Sequence, residues 1–114
     1  MLRGEVWLIN LSPTLSAEMQ KTRPAVIVND DDIGILPLKV IVPITDWKER
    51  YAQAPWMVRL DPTPENGLAK PTTVDTFQVR SVSEQRFTQR LGVLPPETMR
   101  LIEEALRTVL RLHS

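Results

Sequence analysis

The chain has 114 residues, no cysteine and a single histidine, His113, one residue from the end; this excludes disulfides, thiolate metal sites, cysteine nucleophiles and histidine-pair acid–base chemistry. Fourteen basic residues balance fourteen acidic ones, which argues against a strongly basic coat for duplex nucleic acid but allows local basic patches. Hydrophobic residues at 42% and charged residues at 25% suffice for one packed domain over residues 1–114, and no apolar run nears the roughly 20 residues of a membrane span. The start, Met1 to Glu5, lacks the layout of a signal peptide, so a soluble cytoplasmic protein is expected.

Ten prolines cut the chain into short pieces. Residues 5–9 (Glu-Val-Trp-Leu-Ile) predict a first strand, β-branched and aromatic, followed by a long polar loop over 10–23. Pro24 leads a second strand over 24–28, an apolar run of the buried kind, and Asn29-Asp30-Asp31-Asp32 ends it in a turn. A third strand is expected over 38–45, with Pro43 marking an edge or a bulge, and a fourth over 56–60. The cluster 61–67 is a turn, and 73–79 a fifth strand. Residues 86–90 are expected as a helical turn, with a short strand around Leu91. Pro96 and Glu97 then open a helix carrying Met99, Ile102, Leu106, Val109 and Leu110 on one face, with Arg107 and Arg111 suiting its C-terminal dipole. Short strands followed by one helix predict a small, partly open β-barrel flanked by that helix, mainly β in class. So small a core makes a homodimer the expected assembly.

Three segments, in order, resemble the MazF/PemK toxins, the endoribonucleases of toxin–antitoxin pairs. The first is Arg3-Gly4-Glu5-Val6-Trp7-Leu8-Ile9-Asn10-Leu11-Ser12-Pro13-Thr14, similar to the family's opening strand and its following Pro-Thr. The second is Glu18-Met19-Gln20-Lys21-Thr22-Arg23-Pro24 with the apolar strand Ala25-Val26-Ile27-Val28. The third, Val42-Pro43-Ile44-Thr45, resembles the strand ending in the family's active-site threonine. A weaker match is Gln78-Val79-Arg80-Ser81-Val82 with Arg86-Phe87 downstream. Many members carry an acid directly before that glutamine. Here the position is Phe77, and an acid stands at Asp75 instead. If 73–79 is one strand, residues 75 and 77 share a face and Asp75 reaches the same groove.

The resemblance implies the SH3-like fold of the MazF/PemK and CcdB-like toxins. It also implies metal-free cleavage of single-stranded RNA without a cofactor, with the 2′-hydroxyl attacking its own phosphate to leave a 2′,3′-cyclic phosphate or 3′-phosphate and a 5′-hydroxyl. Arg23 is the candidate for charge stabilisation, because a guanidinium binds two phosphate oxygens and stays charged. Thr45 offers a hydroxyl to a phosphate oxygen, and Asp75 is a candidate acceptor for the 2′ proton. Glu18, Lys21, Thr22, Gln78 and Arg80 are candidate RNA contacts, with Arg86 a further candidate for the basic groove.

Trp47 and Trp56 admit two readings equally, stacking on bases or covering the core, whereas Trp7 is read as packing. Asp30-Asp31-Asp32 is read as a solvated turn rather than a metal site, and His113 as frayed terminus. The resemblance further implies a cognate antitoxin that lays a flexible acidic segment in the groove. Two alternatives stay open: a non-catalytic toxin of the same fold that binds a protein such as DNA gyrase, and a degenerate member that binds RNA without cutting it.

Overall fold

A computed structural model of the chain describes residues 1–12, 22–34 and 37–112. Among these residues, seven strands form one open sheet: β1 (Glu5–Asn10), β2 (Thr22–Ile27), β3 (Leu38–Asp46), β4 (Met57–Leu60), β5 (Thr72–Asp75), β6 (Arg80–Ser83) and β7 (Phe87–Val93), followed by the helix α1 (Pro96–Leu110). The order is β4-β5-β3-β2-β1-β7, with β6 also paired to β3, and every pairing is antiparallel.

Alternation along the central strands sends side chains to two cores. Val6, Val26, Val42 and Ile44 face one core, which α1 closes with Met99, Ile102 and Ala105. Ile9, Ala25, Ile27 and Ile41 face the other, where Trp7, Leu11 and Phe87 lie against them. Strand β2 is buried on both faces from Ala25 to Ile27, which is why it reads as an unbroken apolar run. Trp7 and Phe87 meet edge to face at 5.7 Å, so the packing reading of Trp7 holds.

Among the described residues, the barrel does not close through a ladder. The β4–β5 connection reaches across to β7 instead, where the Val93 N–H donates to the Glu65 carbonyl at 2.8 Å. Two glycines permit this approach. A Cβ on Gly67, which has φ +69°, would meet the Leu91 carbonyl oxygen at 2.1 Å, and one on Gly92 would meet the Glu65 carbonyl oxygen at 2.1 Å. Asn66 knits the same turn from inside: its Oδ1 accepts from the Thr63 and Leu68 N–H groups, and its Nδ2 donates to the Asp61 carbonyl.

Four expectations are corrected. The segment 73–79 is not one strand: Thr76–Gln78 is a 3₁₀ turn between β5 and β6, with the Asp75 carboxylate accepting from the Phe77 N–H at its start. Of residues 86–90, only Arg86 is helical, at the end of a 3₁₀ turn over Glu84–Arg86. Residues 87–90 belong to β7, whose polar residues face solvent because among the described residues it is an outer strand paired with β1 alone. Strand β2 begins at Thr22 rather than Pro24, in register with β1 from Asn10↔Thr22. On α1, Met99 and Ile102 are buried as expected, but Leu110 is half exposed and Ala105 takes its place in the core. A 3₁₀ turn over Glu49–Gln53 was not anticipated.

Candidate active site

The site arises where β2 and β3 part. Their ladder runs from Ile27↔Ile41 to Ala25↔Pro43 and stops. Beyond it, Thr22 to Pro24 pair only with β1, and Ile44 to Asp46 pair with β5 on the opposite edge. Pro24 and Pro43 stand at the split, and neither has an N–H to carry the ladder further. Pro43 therefore marks neither an edge strand nor a bulge in β3 itself. It sits where β3 changes partners, and it is the strand opposite that leaves the ladder, between Val74 and Arg80.

A cleft of about 380 Å³ opens at this split, lined by Leu11, Arg23, Pro43, Ile44, Thr45, Tyr51, Asp75, Gln78 and Arg80. A second cleft of about 580 Å³ adjoins it, with Arg23, Ile44 and Thr45 as common wall and Thr22, Asp46, Lys70 and Thr72 among its further lining. Arg23 is exposed and Thr45 half-buried, so a guanidinium and a hydroxyl face the space between the parted strands.

Asp75 is buried and its carboxylate is held from two sides. One oxygen accepts from the Phe77 N–H at 3.1 Å and the other from the Gln78 Nε2 at 2.7 Å. The 3₁₀ turn thus sets Asp75 and Gln78 side by side in the cleft. It also removes the premise that residues 75 and 77 share a strand face: Phe77 is 70% exposed and packs on Trp56 with ring centroids 6.3 Å apart, outside the cleft lining.

Six of the nine candidate residues therefore line the two clefts: Arg23, Thr45, Asp75, Thr22, Gln78 and Arg80. Glu18 and Lys21 lie outside the described residues. Trp47 lines neither cleft. Its ring packs between the Arg59 guanidinium, 4.8 Å from the ring centroid, and the edge of Tyr51, while its Nε1 donates to Glu49. Arg86 is not part of a basic groove either, because its Nη1 donates to the carbonyls of Asn10 and Ser12 at 3.1 and 2.6 Å. The Asp30 carboxylate closes its own turn on the Asp32 N–H, and Asp31 accepts from the Arg3 N–H.

A family model described as PemK-like, MazF-like toxin of type II toxin–antitoxin system matches residues 2–110. The chain belongs to this family. It is 33% identical to the endoribonuclease PemK of Escherichia coli over 112 residues, covering 96% of this chain and 82% of that protein. It is 30% identical to the endoribonuclease EndoA of Bacillus subtilis, covering 96% and 94%. A solved structure of a mycobacterial endoribonuclease in complex with its cognate antitoxin matches this fold with a TM-score of 0.79 at 23% identity, covering 100% of this chain and 98% of that one. The small, partly open barrel with a C-terminal helix is thus the fold of its family.

Sequence reasoning missed Tyr51 and the Gly67–Lys70 segment, both of which line the clefts. The signal for Tyr51 was present: it is the chain's one tyrosine, in a polar stretch. The Gly67–Lys70 segment carries only turn chemistry, and its role depends on the barrel bringing it to β7.

Proposed function

We propose that this chain is the toxin of a type II toxin–antitoxin pair and cuts single-stranded RNA as a metal-independent, sequence-selective endoribonuclease. The observation that carries the reading is the convergence of Arg23, Thr45 and Asp75 on one cleft, in a chain of a family whose named relatives are endoribonucleases. The scissile phosphate sits between the parted strands. Arg23, joined by Arg80, neutralises the charge that builds on the phosphorane, and Thr45 donates a hydrogen bond to a phosphate oxygen.

Asp75 is the one carboxylate among the residues lining this cleft, and it accepts the 2′ proton. Gln78 holds that carboxylate in place while its own exposed side chain meets the RNA. The 2′ oxygen bonds to phosphorus, the bond to the 5′ oxygen breaks, and that oxygen leaves as a hydroxyl with a proton from water at the cleft mouth. The product is a 2′,3′-cyclic phosphate, which water can open to a 3′-phosphate. Positioning by Thr22 and, from the β1–β2 connection, Glu18 and Lys21 supplies part of the rate.

An antitoxin segment that is flexible and acidic would bind over Arg23 and Arg80 and exclude RNA directly. The reading includes a homodimer acting in the cytoplasm, where its RNA substrate is. Among the described residues, no helix is long and apolar enough to cross a membrane. The test is incubation of the antitoxin-free protein with a long single-stranded RNA in excess EDTA beside Arg23→Ala. Discrete cuts with 5′-hydroxyl ends, absent in the variant, support the reading. A folded, toxic protein that cuts none of several diverse RNAs overturns it in favour of a protein target such as gyrase.

A further inference from the structure

We propose that Tyr51 is the stacking platform that orients a base at the scissile bond. The inference rests on the RNA-cleaving reading above and adds a positioning residue to it. Tyr51 supplies the one aromatic ring among the residues lining the cleft of Arg23, Thr45 and Asp75. Everything else there is charged, polar or aliphatic. Two arginines can hold a phosphate, but a phosphate rotates about its own bonds. A ring that takes the adjoining base fixes the ribose, and so the line of attack of its 2′-hydroxyl.

The ring is held rather than loose. Its backbone is fixed in the 3₁₀ turn Glu49–Gln53, where the Tyr51 N–H donates to the Lys48 carbonyl at 2.9 Å and the Ala54 N–H donates to the Tyr51 carbonyl at 3.0 Å. Trp47 meets it edge to face at 6.2 Å with an interplanar angle of 74°. The Arg50 guanidinium lies 5.2 Å from the ring centroid. Trp47 is in turn pinned by Arg59, which is paired with Asp61 at 3.1 Å. The chain Asp61–Arg59–Trp47–Tyr51 thus braces the ring from outside the cleft. Trp47, which the sequence offers as a base-stacking residue, is the buttress, and Tyr51 is the platform.

Stacking and hydroxyl chemistry predict different variants. Removing a base–aromatic stack weakens binding about 5- to 150-fold per base, whereas a ring without its hydroxyl still stacks. The experiment uses the whole protein and an oligoribonucleotide spanning one of its own mapped cleavage sites. For binding and fluorescence the scissile nucleotide is 2′-deoxy and 2-aminopurine replaces each flanking base in turn; for turnover the same oligonucleotide is used with ribose throughout. For Tyr51→Phe, we expect affinity and fluorescence quenching near the parent's, with kcat/KM within about threefold. For Tyr51→Leu, checked for an unchanged melting curve, we expect loss of quenching at one flanking base, a rise in KM and a fall in kcat, because the ribose loses its orientation. Unchanged binding and quenching in Tyr51→Leu overturns the proposal while the nuclease reading stands. So does an equal loss in Tyr51→Phe, which would assign the work to the hydroxyl. A parent protein that neither cuts nor binds RNA overturns both.

Discussion

Replacing Gly92 by alanine drives a methyl group to 2.1 Å from the Glu65 carbonyl oxygen, 2.5 Å from the Asn66 carbonyl carbon and 2.8 Å from its Cα. All three are backbone atoms of a turn locked by the hydrogen bonds of Asn66, so the neighbour cannot yield as a flexible side chain would. Overpacking of this kind costs about 1–3 kcal/mol. Gly67→Ala adds the cost of a left-handed residue, φ +69°, to an equal clash with the Leu91 carbonyl; with about 1–2 kcal/mol for that conformation, the total is about 2–5 kcal/mol. Gly34 separates the two effects. It has φ +96° with nothing within 4 Å of its would-be Cβ, so Gly34→Ala carries the conformational cost alone, about 1–2 kcal/mol.

Thermal and urea unfolding of the three variants should rank Gly67→Ala as the most damaging. Gly92→Ala should melt about 4–20 °C below the parent for a domain of this size. A Gly92→Ala protein melting within about 2 °C of the parent would refute the claim that the β4–β5 connection seals the barrel against β7. A Gly34→Ala cost equal to that of Gly67→Ala would show that contact adds nothing.

Arg23→Lys keeps the charge but loses the two-pronged donor, so activity should fall about 100-fold or more; because Arg23 is exposed, stability should stay within about 0.5 kcal/mol, as activity assays and melting curves would show. Asp75→Asn retains an oxygen for the Phe77 N–H, and it should abolish cleavage while keeping RNA affinity; unchanged turnover would remove Asp75 from the chemistry. Burial pushes the Glu5 carboxyl up, but hydrogen bonds from Trp7, the Leu2 N–H and Arg90, with the positive N-terminus, more than offset it and leave its pKa below the ordinary 4.5. A depressed folded pKa stabilises the fold above the unfolded value, and that gain is lost as pH falls through the folded one. Glu5→Gln should therefore destabilise the fold at pH 7, by no more than about 1 kcal/mol once solvent screening is allowed for, with the gap closing as pH falls below 4.5 in unfolding titrations. Arg86→Met removes the donor to the Asn10 and Ser12 carbonyls and should cost about 1–3 kcal/mol of stability, read by urea unfolding.

The helix and the buried strands were legible because burial imposes a period. Met99 and Ile102 fall three residues apart on α1, and Ala25 to Ile27 form an apolar run because β2 is covered on both faces. Strand β7 hid because it is paired on one side only, so Thr88, Gln89 and Arg90 face solvent and obey no apolar pattern. The turn at 76–78 hid for a different reason: Thr73, Val74, Thr76, Phe77 and Val79 all suit a strand, and only the Asp75 cap and the change of partners along β3 break it. Arg23 and Thr45 were legible as chemistry beside two prolines, but the reason they meet was not. That reason is the parting of β2 and β3, a property of pairing rather than of either segment. Trp47 and Tyr51 stand four residues apart in a polar stretch, and only the folded turn decides which ring faces the cleft.

The central claim is that the cleft of Arg23, Thr45 and Asp75 promotes attack by the substrate's own 2′-hydroxyl. Its most direct measurement takes an RNA carrying two copies of a mapped cleavage site, with a single 2′-deoxy nucleotide at the scissile position of one copy, in excess EDTA. The account predicts cutting at the unmodified copy at the normal rate and none at the modified bond. Cutting at both copies would contradict it and assign the attack to water.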